Sequence, residues 1–320
     1  MRTVILDSFT ADQGAPGWWD GLRALGELVV YPRTSGDEVV ARAAGATAIL
    51  TNKVAVSASS LAALPDLRYI GVLATGTNIV DLAAAQTHGV AVTNVPGYAA
   101  EAVAQLVFAL VLHFTHDVAG HSADVKAGAW ARSPDFCFFR QPLPELAGKT
   151  LAIVGSGNIG GAVARIGAGF GMEVVHAAVP GSPTSRGRTP LVEALARADV
   201  VSLHCPLTAD TRGMVDANFL GAMKPTAILI NTGRGLLIND AELVAALARG
   251  QLAGVGLDVL SAEPPPADHP LTDARAPWAR RVVITPHIAW GTVEARRRLE
   301  AAVTKNLQAF LEGTALNRVV

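Results

Sequence analysis

The sequence has few cysteines and no excess of positive or negative charge. Both features exclude some classes of protein. Two cysteines among 320 residues, Cys137 and Cys205, cannot build a disulfide framework, so we expect a reducing cytoplasm as its location. Lys and Arg number 26 against 27 Asp and Glu, which gives a net charge of −1. This balance provides no electrostatic attraction for nucleic acid or an anionic membrane surface, and we expect neither as a partner.

Long hydrophobic runs are also missing. The longest run, Ala102 to Leu112, is interrupted by Gln105; it is too short to span a bilayer, and we interpret it as a buried helix. The first residues, MRTVILDSFTADQG, lack the basic start, apolar stretch and cleavage site of a signal peptide. They are typical of a strand that runs into a loop.

The sequence does contain short apolar runs that alternate with helical patterns along the whole chain. In the first third the runs are TVILD (3–7), ELVVY (27–31), ATAIL (46–50), YIGVL (69–73) and GVAVT (89–93). From residue 149 the alternation starts again, with TLAIVG (150–155), MEVVHA (172–177), VVSLHC (200–205), AILINT (227–232), GVGLDV (254–259) and RVVITP (281–286). Continuous apolar strands separated by helices indicate parallel sheets that are covered on both faces. We therefore predict an α/β protein with two doubly wound parallel-sheet domains, Rossmann or flavodoxin-like, and a cleft between them.

The restart of the pattern also predicts where the domains divide. We expect residues 1–98 together with 290–320 to form one discontinuous domain, and residues 99–289 to form the other. An apolar helix is predicted at about 99–118, and the last helix, Thr292 to Gly313, is expected to pack back on the first domain.

A glycine-rich loop follows the first strand of the second domain. The stretch IVGSGNIGGAVARIGAGFG (153–171) contains Gly155, Gly157 and Gly160 in GxGxxG spacing, between an apolar strand and a helix. In this context the spacing predicts a dinucleotide site: Gly155 permits a tight turn, Gly157 lets backbone N–H groups approach a pyrophosphate, and Gly160 allows close helix–strand packing. The helix N-terminus adds partial positive charge. The alternative is an ordinary glycine-rich turn in a βα unit.

The residue that usually binds the adenosine ribose is absent. An acidic side chain is expected about 20 residues after such a loop, but the second strand is followed by Ala178, which neither accepts hydrogen bonds from ribose hydroxyls nor repels a 2′-phosphate. Arg186 and Arg188 come a few residues later. Two alternatives stay open: these arginines admit NADP, which we favour slightly, or they are surface charges and NAD binds without the usual acid.

Three charged or titratable residues follow strands of the second sheet. Arg234 lies in NTGRG, Glu263 in LSAEPP and His287 in TPHIAW. Because ligands bind outside the carboxyl ends of strands in such sheets, we expect all three at the cofactor's edge. An imidazolium can protonate the alkoxide formed from a ketone, a nearby carboxylate favours its charged form, and a guanidinium fits a substrate carboxylate. Singly, each could instead be a structural ion pair, a surface charge or a loop histidine.

These segments together resemble the D-isomer-specific 2-hydroxyacid dehydrogenases over nearly the whole chain. The resemblance is carried by GSGNIG, VVSLHCPLTADTRGMVD (200–216), NTGRG, GLDVLSAEPP, TPHIAW, GVLATGTNIVDLAAAQTHGVAVTNVPGY (71–98) and AEAVAQLVFAL (100–110). Within the family, TNK (51–53), VAQ (103–105), SPDFCFF (133–139) and HIAW (287–290) are most similar to glycerate dehydrogenases, also called hydroxypyruvate reductases.

The resemblance implies a role for each matching residue. Arg234 would bind the substrate carboxylate and carbonyl, Glu263 would pair with the catalytic histidine, and His287 would be the acid and base. The cofactor would contact Asn158 and Ile159 at the pyrophosphate, Cys205, Pro206 and Thr232 along its length, and Asp258 at the nicotinamide carboxamide. Leu73, Ala74, Thr75 and Gly76 would donate backbone N–H groups to the substrate. Lys53 is either a further partner for that anion or a surface lysine.

The resemblance thus implies NAD(P)-dependent reduction of a small 2-keto acid, hydroxypyruvate or glyoxylate, to the D-2-hydroxy acid. Two rivals stay open: another oxidation on the same scaffold, such as that of phosphite or a bulkier 2-hydroxy acid, and a nucleotide-sensing, corepressor-like binding protein. A homodimer built around the helix near 99–118 is expected. His113, His116 and His121 have no clustered acidic or cysteine partners, so we expect no metal site.

Overall fold

A computed structural model describes residues 1–182 and 187–320. Within these ranges the strands form two sheets, and every pairing between named strands is parallel. The chain divides into two compact units: Met1–Ala99 with Gly291–Val320, and Ala100–Trp290. The prediction of two parallel-sheet α/β units is confirmed.

The first unit contains a sheet with the order β2-β1-β3-β4-β5. Its strands are β1 (Arg2–Ile5), β2 (Glu27–Val30), β3 (Ala48–Thr51), β4 (Tyr69–Val72) and β5 (Ala91–Thr93), and its early helices are α1 (Phe9–Asp12), α2 (Asp20–Arg23), α3 (Val39–Ala43), α4 (Ala58–Ala62) and α5 (Leu82–Thr87). Val4, Ile49 and Ile70 are fully buried between the helical layers. Asp81 begins α5 by accepting a hydrogen bond from the Ala84 N–H, which satisfies one of the first-turn donors.

The second unit contains a sheet with the order β11-β10-β9-β8-β6-β7. Its strands are β6 (Thr150–Val154), β7 (Glu173–Ala177), β8 (Val200–Leu203), β9 (Ile228–Asn231), β10 (Gly254–Leu257) and β11 (Val282–Ile284), and its helices are α6 (Ala100–His116), α7 (Val118–Lys126), α8 (Asn158–Gly169), α9 (Leu191–Arg197), α10 (Ala217–Ala222) and α11 (Asp240–Ala248). The order in which successive strands are added to the sheet reverses between β6 and β8. Such a switch point leaves a crevice outside the carboxyl ends of the two strands.

The apolar helix predicted at about 99–118 is shorter in the structure and is followed by a second helix. Helix α6 ends at His116 because Asp117 adopts a left-handed backbone (φ 41°) and caps α7 through its side chain. Val107, Phe108 and Val111 of α6 are buried in the core of their own unit. No single helix among the described residues is long and apolar enough to cross a membrane; α6 and α7 meet that criterion only as a pair, and they are bent by 52°.

The last helix, α12 (Val293–Leu311), belongs to the first unit. Its Arg296 guanidinium donates to the Ala11 carbonyl at 2.9 Å, and its Asn306 amide donates to the Asn94 carbonyl at 2.9 Å. Short 3-10 helices complete the described elements, at Gly36–Glu38, Trp130–Arg132, Gly235–Leu237, Pro270–Thr272 and Ala279–Arg281.

Candidate active site

The glycine loop after β6 has two close-packed positions and one open position. A Cβ at Gly155, where φ is +102°, would lie 2.5 Å from the Cys205 nitrogen, and a Cβ at Gly160 would lie 2.1 Å from the Gly155 oxygen. A Cβ at Gly157 would meet nothing within 4 Å. The first and third glycines are therefore required by packing, and the middle one leaves its side of the loop open.

Helix α8 begins at Asn158 without a side-chain cap, because its N-cap is Gly157. The first-turn N–H groups and the positive end of the helix therefore remain available to an anion. Ile159 is half-buried and packs against the core that includes α6, and its backbone N–H lies in the first turn of the helix. The loop and helix start together fit a dinucleotide pyrophosphate.

A cavity of about 590 Å³ opens beside this loop. It is lined by Gly155, Ser156, Gly157, Ala177, Val179, Pro180, Gly181, Ser182, Arg188, His204, Pro206, Thr208, Asp210 and Thr211. The predicted cofactor residue Pro206 is part of the wall. Ala178 does not line the cavity, but its neighbours Ala177 and Val179 do. Ala178 itself is half-buried, and its N–H donates to the Thr189 carbonyl. Arg186 lies outside the described residues.

Sequence reasoning missed several polar groups of this wall. Ser156, Thr208, Asp210 and Thr211 all line the cavity. Ser156 occupies a variable position of the GxGxxG pattern, and the other three follow β8, the strand beside the switch point. Inspection of the residues that follow each predicted strand could have identified these three.

The Ser156 hydroxyl lies between two basic side chains. Arg188 Nη1 donates to it at 2.6 Å, and His176 Nδ1 lies 2.8 Å from it. Burial lowers the pKa of His176 below its usual 6.5, and the positive charge of Arg188 lowers it further. The cavity therefore has a cationic group close to the position where an acid is usual.

His287 and Glu263 form a hydrogen-bonded pair at the carboxyl edge of the same sheet. His287 Nδ1 lies 2.5 Å from Glu263 Oε2, and the Leu260 N–H donates to Glu263 Oε1 at 3.1 Å. The imidazole is about one quarter exposed. Because Nδ1 donates to the carboxylate, Nε2 is the nitrogen that can exchange a proton with a bound molecule.

Asp258 holds the loop that carries His287. Its Oδ1 accepts from the Thr285 hydroxyl at 2.5 Å and the Ile288 N–H at 2.9 Å, and its Oδ2 accepts from the Ala289 N–H at 2.8 Å. The His287 N–H also donates to the Asp258 carbonyl at 2.8 Å. Burial raises the Asp258 pKa, and these three donors together with the charge of His287 oppose that effect. The contact of Asp258 with a nicotinamide stays a prediction.

Arg234 projects from a loop that touches the Glu263 loop. The guanidinium is exposed and donates to the Gly233 carbonyl at 2.8 Å. A Cβ at the next residue, Gly235, would lie 1.9 Å from the carbonyl of Leu260, so only glycine allows these backbones to approach so closely. The structure thus brings the loops of Arg234 and Glu263 together.

A second connection supports the Glu263 loop from α11. The Asp240 carboxylate accepts a hydrogen bond from the Ser261 hydroxyl and lies 3.2 Å from His269 Nε2. His269 is buried. The loop is therefore fastened on both sides of Glu263.

Two further predicted cofactor residues lie at strand ends. The Thr232 hydroxyl, after β9, is buried and has no hydrogen-bond partner among the described residues, which leaves a polar group available to a ligand. Cys205, after β8, is buried, and burial raises the pKa of its thiol to about 11. Such a thiol is not a nucleophile at neutral pH.

The predicted substrate-binding loops of the first unit are fastened to each other. The Asp7 carboxylate accepts from the Asn52, Lys53 and Val54 N–H groups at 2.8, 2.6 and 3.2 Å. The Asn52 amide donates to the Leu73 carbonyl at 2.6 Å, at the start of the loop Leu73–Gly76. The roles of Lys53, Leu73, Ala74, Thr75 and Gly76 toward a substrate stay predictions.

This chain is similar to several known proteins. Residues 108–289 match the model of the family described as "D-isomer specific 2-hydroxyacid dehydrogenase, NAD binding domain". A hydroxypyruvate reductase of Blautia hydrogenotrophica is 39% identical, over 100% of this chain and 99% of that protein. A solved structure of a Thermus thermophilus protein has 36% identity and a TM-score of 0.84, with 100% of both chains covered. That of an NADPH-dependent glyoxylate/hydroxypyruvate reductase from Sinorhizobium meliloti, in complex with NADP and malonate, has 28% identity and a TM-score of 0.81, covering 100% of this chain and 96% of that one.

Proposed function

The chain belongs to the D-isomer specific 2-hydroxyacid dehydrogenase family, and from that premise we propose that it reduces hydroxypyruvate or glyoxylate to the D-2-hydroxy acid. The observation that supports this most directly is the His287–Glu263 pair at 2.5 Å, in the same unit as a glycine loop that fits a dinucleotide. The similarity to proteins named hydroxypyruvate reductase and glyoxylate/hydroxypyruvate reductase supports the substrate class.

In the proposed mechanism His287 supplies the proton. A nicotinamide held by the glycine loop would supply the hydride, and His287 would donate its Nε2 proton to the substrate oxygen that becomes the hydroxyl. Glu263, hydrogen-bonded at Nδ1, stabilises the imidazolium and fixes the ring. Asp258 and Gly235 hold the two loops that carry this pair. The Asp258 carboxylate accepts backbone N–H groups of the His287 loop, and Gly235 packs against the backbone of the Glu263 loop.

Arg234 is proposed to bind the substrate carboxylate. Its exposed guanidinium offers a planar pair of donors, which matches a carboxylate and also polarises the neighbouring carbonyl. The carboxylate of a 2-keto acid would pair with this group, and an uncharged ketone would lack that interaction. Thr232 and Asp258 are proposed to contact the cofactor, together with Gly155, Gly157, Asn158, Ile159, Gly160, Cys205 and Pro206.

We further propose that the cofactor site admits NADP. Ala178 has no carboxylate to repel a 2′-phosphate, and Arg188 with Ser156 lies in the wall of the adjoining cavity. The wall also contains one carboxylate, Asp210, which we propose as the acceptor for ribose hydroxyls when NAD binds. The similarity to a reductase described as NADPH-dependent supports the same preference.

The cofactor proposal is tested by binding measurements on paired variants. We expect Arg188→Ala to weaken NADP⁺ binding about tenfold or more while changing NAD⁺ binding little, because only NADP⁺ carries a 2′-phosphate for Arg188 to bind. Asp210→Asn should weaken NAD⁺ binding more than NADP⁺ binding. Arg212→Ala, which alters an exposed arginine outside the cavity wall, is the control. Equal losses for both cofactors in Arg188→Ala would reject the NADP site.

The reaction itself is tested with purified protein, by measuring kcat/KM for hydroxypyruvate and glyoxylate with NADH and NADPH in parallel. Pyruvate, a bulky 2-keto acid and phosphite serve as comparison substrates. We expect hydroxypyruvate or glyoxylate to give the highest value. Chiral analysis of the product should show the D isomer, and an L product would contradict the assignment.

A homodimer and a reducing compartment complete the proposal. The homodimer built around the helix near 99–118 stays a prediction, since one face of α6, with Glu101, Gln105 and Ala109, is exposed. We propose that the second copy also covers the exposed aromatic segment, defined as residues 118–143. Val118, Trp130, Phe136 and Phe139 of this segment are each more than half exposed. Both cysteines are free thiols, the state that a reducing cytoplasm maintains.

A further inference from the structure

His176, Ser156 and Arg188 form a hydrogen-bonded row of side chains that links a titratable ring to the cofactor cavity. Binding a cofactor does not by itself require such a link. The Ser156 hydroxyl contacts Arg188 Nη1 at 2.6 Å and His176 Nδ1 at 2.8 Å. Ser156 lies in the glycine loop, and Ser156 and Arg188 both line the 590 Å³ cavity. A titratable ring is thus one hydroxyl away from the proposed phosphate position.

Hydrogen-bond accounting fixes what the hydroxyl can do. A guanidinium only donates, so the Ser156 oxygen accepts from Arg188 and its own hydrogen must find an acceptor. When His176 is neutral with its proton on Nε2, Nδ1 is that acceptor, and the hydroxyl hydrogen is engaged by the ring. With His176 protonated, Nδ1 donates to Ser156, and the hydroxyl hydrogen becomes free to bind an oxyanion.

We propose that His176 gains a proton when a 2′-phosphorylated cofactor binds, and that the preference for NADP over NAD therefore increases as the pH falls. This inference rests on the NADP site of the proposed function and adds a mode of regulation to it. The phosphate supplies the negative charge that stabilises the imidazolium, and the released Ser156 hydrogen supplies an additional hydrogen bond.

The charges around His176 are compatible with this exchange. Strand β6 has no titratable side chain, and the charged residues of α8 and α9 are paired: Arg165 with Glu101, and Arg197 with Glu173 and Glu193. His204 and Asp210 line the same cavity as Arg188. Burial lowers the His176 pKa below 6.5, and among the described residues Arg188 is the charge that lowers it further. The free protein therefore holds the His176 proton less tightly than an ordinary histidine does. A phosphate dianion beside Arg188 cancels that repulsion and raises the pKa.

Linkage gives the sign and size of the effect. A group that is protonated more in the complex than in the free protein makes binding tighter at lower pH, with a slope equal to the number of protons taken up. An uptake of about half a proton corresponds to a roughly threefold change in Kd per pH unit. The 2′-phosphate titrates with a pKa of about 6 as well, so its contribution has to be measured separately.

The test is calorimetric titration with NADP⁺ and NAD⁺ at about pH 6.5, near the ordinary pKa of histidine, in buffers of different ionisation enthalpy. The dependence of the heat on the buffer counts the protons taken up. His176→Asn keeps a hydrogen-bonding group near the Nδ1 position but does not titrate, so the phosphate's own contribution remains in this variant. His88→Asn, at an exposed histidine of the first unit, is the matched control.

We expect the wild type and His88→Asn to take up more protons with NADP⁺ than His176→Asn does, and all three to behave alike with NAD⁺. The ratio of the two dissociation constants should vary about threefold more per pH unit in the wild type than in His176→Asn. Ser156→Ala, which breaks the hydrogen-bonded row, should behave like His176→Asn and provides the test if that variant does not fold. Equal uptake by wild type and variants overturns the proposal. In that case hydroxypyruvate reduction with NADH still reports whether the proposed function stands.

Discussion

His287 has a left-handed backbone (φ +54°), a conformation that costs a non-glycine residue about 1–2 kcal/mol. The surrounding hydrogen bonds maintain it: the His287 N–H donates to the Asp258 carbonyl, and the next two N–H groups donate to the Asp258 carboxylate. One buried acid therefore determines where the imidazole lies. We assign Asp258 this positioning role on the basis of its contacts.

The variant Asp258→Asn tests this role. An amide can replace one oxygen but cannot accept at both, so at least one buried N–H loses its partner. We expect a loss of about 1–3 kcal/mol in the free energy of unfolding and a lower kcat, measured by denaturant titration and steady-state kinetics. A variant with unchanged stability and kcat would contradict the role.

The free energy of unfolding of the wild type should change with pH relative to that of Asp258→Asn, in a direction that follows from the Asp258 pKa. Burial raises the Asp258 pKa above 3.8, so the folded state holds this proton more tightly than the unfolded chain does. The stability contributed by the protonated group is present at low pH and is lost as the pH rises from about 3.8 through the raised pKa. We therefore expect wild type to lose stability relative to Asp258→Asn over that interval.

At the scale of elements, the catalytic pair depends on the contact between two loops. Gly235 follows Arg234, and its α-carbon lies against the Leu260 carbonyl in the Glu263 loop. Asp240 fastens the same loop from α11. Displacing either contact moves Glu263 relative to His287 without removing a reacting group.

The two glycines that flank Arg234 provide a matched comparison. A methyl group at Gly235 would lie 1.9 Å from backbone atoms, whereas at Gly233 its nearest neighbour would be at 3.4 Å. We expect Gly235→Ala to reduce kcat/KM at least about tenfold and to lower the melting temperature, and Gly233→Ala to have a much smaller effect on both. Similar behaviour of the two variants would show that this contact does not position the loop.

The elements themselves were largely predictable, whereas these contacts were not. Each of the short apolar runs named from the sequence overlaps a strand, because continuous Val, Ile, Leu and Ala stretches suit a sheet covered on both faces. The break after His116 was missed because Asp117 in a left-handed conformation is not visible in hydrophobic periodicity. Asp240 with Ser261, and Ser156 with His176, were missed because residues about 20 apart in sequence meet only through the fold.

At the scale of the whole molecule, the exposed aromatic segment is the feature that suggests assembly. Phe136 and Phe139 are 89% and 69% exposed. Arg140 pairs with Asp124 within the segment at 3.5 Å and with Asp117, just before it, at 3.3 Å. Exposed aromatic side chains on a segment fastened in this way are typical of a surface that another protein covers.

The double variant Phe136→Ser, Phe139→Ser tests whether a second copy provides that cover. Analytical ultracentrifugation should show a dimer for the wild type and a shift toward monomer for the variant. Val192→Ser, at an exposed apolar residue of α9, is the control and should remain dimeric. A wild type that is monomeric at micromolar concentration would reject the dimer.

The account as a whole depends on His287 acting as the proton donor beside a bound nicotinamide. The most direct measurement is single-turnover reduction of hydroxypyruvate by enzyme preloaded with NADPH, comparing wild type with His287→Asn and Glu263→Gln after cofactor affinity has been checked by titration. We predict unchanged affinity, with a rate lower by about 10²–10⁴-fold for His287→Asn and a smaller loss for Glu263→Gln. A His287→Asn enzyme that reduces hydroxypyruvate as fast as the wild type would contradict the account.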